Sequence, residues 1–522
     1  MAPGKILLKT LLIFIIIISA LSPSKEESAD FVNEISMIIE GSSLKILYAG
    51  YNEIPSEVFI NGEEARIQNN EIQFQNNLET EKNNITLRWN KTILDCSYMF
   101  YNIINIISID LSNFDLSSVI STEKMFYYCQ NLRNIIFPKD TTITNIESME
   151  GMFYYCNSLE SLNLSHFHTS KVINMNSIFD GCNSLITLDI SNFDLTGLTN
   201  TLTFFSSLKT LNKLENIKAI NLNISHANSI ANLFKDNKII KYLDLSYLDA
   251  SLSTRMDYIF SGCINLLSLN LYSIRVSNMK NMEYAFNECN KLNYFNLSNL
   301  DSISSLENMR YIFSYCKELI SLDLSDFQTD NDLDMSYIFR GCEKLEEINL
   351  GSRKVVNLRY MFYNCYNLKS LDLSQFQTEN LEDIASIFSG CDSLTSLDLS
   401  NWIFYHIKFN KEIFNSCISL KYLKLSYVKT YLTSMSSLFS DLKYIISLDL
   451  SNFDTTYVED MYRMFYNSKN LKFLDLTNLD TRKVRRMWKM FYGCESLTSL
   501  DLSSFDTSSV TDFDDIFAIY IL

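Results

Sequence analysis

Phe153 to Ser165 reads FYYCNSLESLNLS, Phe388 to Ser400 reads FSGCDSLTSLDLS, and Phe491 to Ser503 reads FYGCESLTSLDLS. The opening phenylalanine recurs at 100, 126, 153, 179, 205, 234, 260, 286, 313, 339, 362, 388, 414, 439, 465, 491 and 517. Most steps are 26 residues, with extremes of 23 (Phe339 to Phe362) and 29 (Phe205 to Phe234). A fixed period in this range marks a solenoid, because one unit cannot bury its apolar face and stacked neighbours bury it together. A solenoid grows in one direction without splitting its core, so 522 residues need not divide into three or four domains.

Each unit has two halves. Leu159, Leu162 and Leu164 follow the L-x-x-L-x-L pattern of a leucine-rich repeat strand, leucines inward and intervening residues outward. A turn such as SHFHTSKV leads to a second apolar set, Met175, Ile178 and Phe179, whose spacing predicts a short helical turn. The expected fold is an α/β-type repeat solenoid: a leucine-rich-repeat horseshoe with one continuous parallel concave sheet from about residue 107 to 502. The longest copy, where INLNIS replaces LDLS, and the shortest, with NLGSRKVVNL as its loop, are expected to disturb the curvature.

The rest of the chain divides simply. Residues 1–24 read as a secretory signal peptide: Lys5 and Lys9 precede the apolar run Leu11–Ile18, with cleavage near Ala20. That run is short of the roughly 20 residues a membrane span needs, so no stable span is expected after signal removal. Residues 25–95 lack the repeat and contain short β-type runs, with Asn61-Gly62 as a hairpin signal. They are expected to form a small β-rich cap on the solenoid, which occupies 96–522. The chain stops at Phe517-AIYIL, where a cysteine and a strand would follow. An uncapped end there is expected to allow self-association.

The formal charge of −17 disfavours nucleic acid and anionic lipid as partners. Of the twelve cysteines, eleven lie three residues after a repeat phenylalanine, a slot that elsewhere carries Leu208, Asn237, Leu442 and Ser468. A slot that accepts leucine predicts buried free thiols rather than disulfides. The absence of any C-x-x-C spacing argues against zinc.

The unit C-x-S-L-x-S-L-D-L-S-x-F-D-T-S-x-V-x-x-M-x-x-M-F, followed nearly throughout by 444–465 and 494–517, resembles the BspA-like leucine-rich repeat of surface proteins. Pro138 in IIFPKD is similar to the Leu-Pro variant of that repeat. The resemblance covers roughly 96–517. It implies adhesion to host or matrix proteins or to other cells, a secreted or extracellular-surface location, no catalytic residues and no cofactor. The rival reading is a self-associating surface-coat or matrix protein without a specific ligand.

Two outward columns are candidates for partner binding. The residue inside L-x-L is Asp at 110, 189, 244, 323, 372, 398, 449, 475 and 501, Asn at 163, 270, 296 and 349, and Lys at 424. Such a ladder suits a basic partner surface or weak Ca²⁺ binding; the plainer reading is a solvated strand face. Neighbouring carboxylates are expected to attract cations or share protons. Two positions earlier the usual Ser or Thr becomes Tyr242, Tyr294, Tyr422 and Phe473. With Asp372, Asp398, Asp449 and Asp475 these are the candidate partner-binding residues. Asn84, Asn90, Asn163, Asn223 and Asn296 begin glycosylation sequons. His166 and His168 lie close together but have no evident further metal ligands. No nucleophile–base set or phosphate loop stands out.

Overall fold

The repeat phenylalanines form a stack through the interior. In the computed structural model Phe286, Phe313 and Phe339 lie almost face to face, with centroids 5.1 and 5.7 Å apart. All three are fully buried. The structure describes residues 33–517 apart from 42–44, 69–70, 74–80, 140, 199–200, 297–298, 300–302, 326–328, 330, 404–405, 408–411, 426–431 and 452. The expected signal peptide and the five C-terminal residues therefore lie outside the described residues, and with them the expectation for the C-terminal end.

An antiparallel sheet precedes the coils. It comprises β1 (Asn33–Glu40), β2 (Glu57–Ile60), β3 (Glu63–Gln68), β4 (Glu71–Gln73) and β5 (Lys82–Trp89). β1 alternates buried and half-buried residues, as a one-sided strand should. It pairs antiparallel with β6 (Ile106–Asp110), the first coil strand, Met37 opposite Ile109. β6 pairs parallel with β7 (Asn134–Ile136). The order β4-β3-β2-β5-β1-β6-β7 thus covers the first coil's open edge with backbone bonds.

Parallel strands then recur once per coil. β8 (Ser161–Asn163), β9 (Thr187–Asp189), β10 (Asn216–Lys218), β11 (Tyr242–Asp244), β12 (Ser268–Asn270) and β13 (Tyr294–Asn296) form one unbroken ladder. β14 (Ser321–Asp323) pairs with β16 (Glu347–Asn349). Beside them β15 (Leu333–Asp334), β17 (Arg353–Asn357) and β18 (Phe376–Gln377) make a second, lateral parallel sheet. β19 (Ser396–Leu399) pairs with β20 (Tyr422–Leu425), and β21 (Ser447–Asp449) with β22 (Phe473–Asp475). The solenoid and its parallel strands match expectation. The single continuous sheet does not, because among the described residues the concave ladder falls into five hydrogen-bonded pieces. One break follows β7, where Phe137 leads into Pro138, which has no N–H to donate.

The closing half of the coil also differs from the expected helical turn. The only helix among the described residues is α1 (Thr201–Lys209). Elsewhere the chain makes successive tight turns. In one coil Met152, Tyr154 and Cys156 donate to the carbonyls three residues back, while Gly151, Phe153 and Tyr155 donate to the next coil. This alternation needs left-handed residues two before and two after each phenylalanine. Tyr258 and Gly262 flank Phe260 in this way, at φ +57° and +75°. At Gly390, φ +78°, an added Cβ would lie 3.1 Å from the Asn364 backbone, so glycine fits most easily, although Tyr128, Asn364 and Asn467 occupy the same position in other coils. Tyrosine tolerates the other position by stacking: Tyr284, Tyr311 and Tyr337 are 4.4 and 4.3 Å apart. A periodicity of Met, Ile and Phe cannot separate one helical turn from such a ladder, since both bury the same positions.

Candidate functional site

Most recurring residues of the repeat serve the fold. Each described thiol of the cysteine column donates to the carbonyl of a phenylalanine on the preceding coil, as in Cys316 Sγ to Phe286 O at 3.2 Å and Cys342 Sγ to Phe313 O at 3.1 Å. Ser468 Oγ makes the same bond to Phe439 O at 2.9 Å. This is why a small donor recurs in an apolar slot. All twelve cysteines are free and buried. Burial pushes the Cys129, Cys182, Cys316 and Cys417 thiols up to about 12. The buried threonine of S-x-F-D-T is equally engaged: Thr455 Oγ1 donates to Asp480 O at 3.0 Å and accepts from Asp480 N at 2.7 Å.

The acidic ladder is also partly structural. Asp110, Asp323, Asp372, Asp398, Asp449, Asp475 and Asp501 each accept, through Oδ1, the backbone N–H two residues on. Such a bond fixes the turn leaving the strand. It also favours the ionised form. Hydrogen bonds from Ser374, Ser400, Ser451 and Ser503 hold Asp372, Asp398, Asp449 and Asp501 below the ordinary carboxylate value. Of the two expected outcomes for neighbouring carboxylates, the lowered values of these four favour the ionised form, because each carboxylate has its own donors. The ladder also includes two residues that the sequence reading did not assign to it, Ile136 and Lys218. Lys218 Nζ lies 3.4 Å from Asp189, so Lys424 is not the ladder's single basic break. The strand of the long copy is Asn216–Lys218 rather than INLNIS. Leu214, Ile217 and Ala219 are its buried triad, a spacing visible in the sequence.

The aromatic column is what remains turned outward. Tyr422 is 72% exposed, Phe473 66%, Tyr294 55% and Tyr242 47%. They stand in two separated pairs. Tyr242 and Tyr294 lie on β11 and β13 with Ser268 between them, about 10 Å apart at sheet spacing. Tyr422 and Phe473 begin β20 and β22, with Ser447 of β21 between them in sequence order. Beside Tyr422, Lys424 Nζ pairs with Asp398 Oδ2 at 3.1 Å. Phe473 shares a groove of about 800 Å³ with Asp449, Asp475 and Asp501. Asp372 lies apart from these, in a second groove of about 740 Å³ with Asp323 and Glu347.

The sequons divide by exposure. Asn84 and Asn90 are exposed on and just after β5. Asn163 and Asn296 sit in the concave ladder, while the Asn223 side chain donates to Asp194 and accepts from Ser225 N. Among the described residues no group of three or more His, Cys, Asp or Glu is placed to hold a metal, and no helix is long and apolar enough to cross a membrane.

Solved structures similar to this chain include two named as leucine-rich proteins. A leucine-rich cell surface protein of Faecalibacterium prausnitzii is 16% identical, with 65% of this chain and 84% of that chain covered, at a TM-score of 0.25. A leucine-rich-repeat protein of Leptospira interrogans is 18% identical over 62% of this chain and 88% of its own, at 0.21. The Drosophila Toll–Spätzle complex is matched at 16% identity and a TM-score of 0.33; the alignment covers 72% of this chain and 43% of the matched one. No curated protein matches by sequence. The family described as "Mycoplasma protein of unknown function, DUF285" matches over residues 94–219, 139–241, 228–350, 348–443 and 433–519. These overlapping matches run through the whole coil region, and the chain belongs to the DUF285 family.

Proposed function

We propose that the chain is a secreted or surface-displayed adhesion protein of the BspA-like kind, which binds a protein ligand through the exposed aromatics of its concave face. One observation carries this reading. The recurring phenylalanine, cysteine, threonine and aspartate of the repeat are engaged in the fold, whereas Tyr242, Tyr294, Tyr422 and Phe473 break the Ser/Thr pattern and point outward. Rigid aromatics of this kind concentrate binding energy, and ionised carboxylates around them steer a basic partner. Asn84 lies on the sheet face that carries Ser108 and Asp110; Asn84 and Asn90, exposed on the N-terminal sheet several coils before Tyr242, are the sequons best placed to carry glycans without covering the aromatic pairs.

The test is adhesion of the full chain to cultured cells and to immobilised extracellular-matrix proteins. Tyr422→Ala and Phe473→Ala together should speed dissociation at least tenfold, about 1.4 kcal/mol. Asp449→Asn with Asp475→Asn keeps the oxygen that caps each turn, removes two charges, and should flatten the salt dependence of association. If both pairs of variants bind like the parent protein, the concave aromatics are not the site.

A further inference from the structure

The concave ladder has an opening where it is also deeply grooved. β16 is hydrogen-bonded to β14 on one side only, and β19 to β20 on one side only. Between them Ser370, Leu371 and Asp372 form no strand. Among the described residues, the backbone hydrogen bonds that tie these coils near this point are Lys369 N to Glu346 O at 3.3 Å and Ser393 N to Tyr366 O at 3.1 Å, both before the strand position. Two strand edges thus face each other across an unpaired segment, in the middle of a sheet rather than at its rim. Unpaired strand edges are templates for an added extended chain.

The groove of about 740 Å³ lies over this opening. Its lining includes Phe295, Asp323, Glu347, Asn349, Asp372 and Ser396, and no cationic side chain. Asp323 accepts from Ser325 N through Oδ1 and from Asn349 Nδ2 through Oδ2, and Asp372 accepts from Ser374 N through Oδ1; each ionised carboxylate keeps lone pairs for a further donor. We infer that this groove takes a short extended segment of a partner polypeptide bearing lysine or arginine, with its backbone bonded to the open strand edges and its cations on Asp323, Glu347 and Asp372. The inference rests on the concave face being a binding surface. It selects the partner's chemistry: nucleic acid is repelled, a neutral glycan would leave three carboxylates uncompensated, and a bare cation would not use the backbone edges.

The experiment uses the full chain and three probes: a short alternating Lys–Thr peptide, the same peptide N-methylated on alternate backbone nitrogens, and its Glu–Thr counterpart. Fluorescence anisotropy reads binding, and amide exchange reads where it occurs. The parent should bind the Lys–Thr peptide saturably and slow exchange at 347–349 and 370–372. Asp323→Asn with Glu347→Gln and Asp372→Asn should weaken binding at least tenfold, as should N-methylation; the Glu–Thr peptide should not bind. Glu459→Gln with Glu495→Gln, which removes two exposed charges outside both grooves, should have no such effect. Absence of saturable binding overturns the proposal. So does binding unchanged by the triple substitution or by N-methylation, or protection confined to other strands. If the proposal fails while Tyr422→Ala with Phe473→Ala still weakens adhesion, the concave surface remains the binding face and only this occupant falls. If adhesion is also unaffected, the wider reading falls with it.

Discussion

The longest and shortest copies are opposite experiments on one design. In the long copy the three extra residues fall between Phe205 and the strand: Leu214 and Ile217 lie nine and twelve residues after it, where Leu159 and Leu162 lie six and nine after Phe153. α1 absorbs them on the turn side, and the ladder β9–β10–β11 runs through unbroken. In the short copy the three missing residues come after the strand, between Ile348 and Phe362. There β17 joins a lateral sheet, and the next concave strand is lost. The slot that holds buried Phe167, Phe193 and Phe376 in other coils holds buried Arg353, whose Nη2 donates to Leu324 O. Burial lowers the Arg353 guanidinium to about 10. An insertion before the strand can bulge into solvent. A deletion after it shortens the coil's perimeter, and the neighbouring coil must move.

The largest expected effect separates the thiol-rich coils from the copies that lack a thiol. An unfolded thiol ionises near 9, whereas the buried Cys129, Cys182, Cys316 and Cys417 ionise at about 12. The folded value is the raised one, so stability from keeping these protons is fully present below pH 9 and is lost as the pH rises through about 12. Denaturant unfolding should show a steep loss over that window. Amide exchange should show coils 260–420 losing protection sooner than the coil at Leu442 and Ser468. Uniform loss along the solenoid would show that the thiols do not set the alkaline limit.

Phe313→Ala comes next. It removes a fully buried ring stacked on two neighbours and should cost about 3–5 kcal/mol in denaturant unfolding. A cost under about 1 kcal/mol would mean that the stack does not carry the regular coils.

Restoring the short copy tests the comparison directly. Replacing 350–358 with the regular segment 373–384 returns the three residues and puts Phe376 in place of Arg353. The amides of 370–372 should then exchange at least tenfold more slowly, as a strand re-forms. Removing three residues from α1 should leave β9, β10 and β11 unchanged. If the graft leaves 370–372 unprotected, perimeter is not what opens the ladder. The smallest effect is expected for Cys316→Ser. Ser468 already makes the equivalent bond, so the cost should be below about 1.5 kcal/mol and less than that of Cys316→Ala, which loses the donor to Phe286 O.

Much of this was legible in the residues. The phenylalanine and leucine spacing gave the period, the inward face and the stacked interior. The cysteine slot, shared with leucine, pointed to buried free thiols. The three-residue excess and deficit could also be located by counting from Leu214 and from Ile348. Other features were not legible for physical reasons. A Met-x-x-Ile-Phe spacing buries the same atoms in a helical turn and in a ladder of left-handed turns. An Asp in L-D-L looks the same whether its carboxylate faces a partner or caps its own turn.

The sequence by itself determined the solenoid, its parallel strands and its column of aromatic breaks, because periodic burial is a property of order along the chain. Only the tertiary structure decided where the ladder opens, which carboxylates share a groove with Phe473, and which gather over Ser370–Asp372. Those facts depend on how one coil sits on the next. That placement follows from perimeter, hydrogen bonding and packing between residues some 26 positions apart, which a single repeat's residue types do not contain.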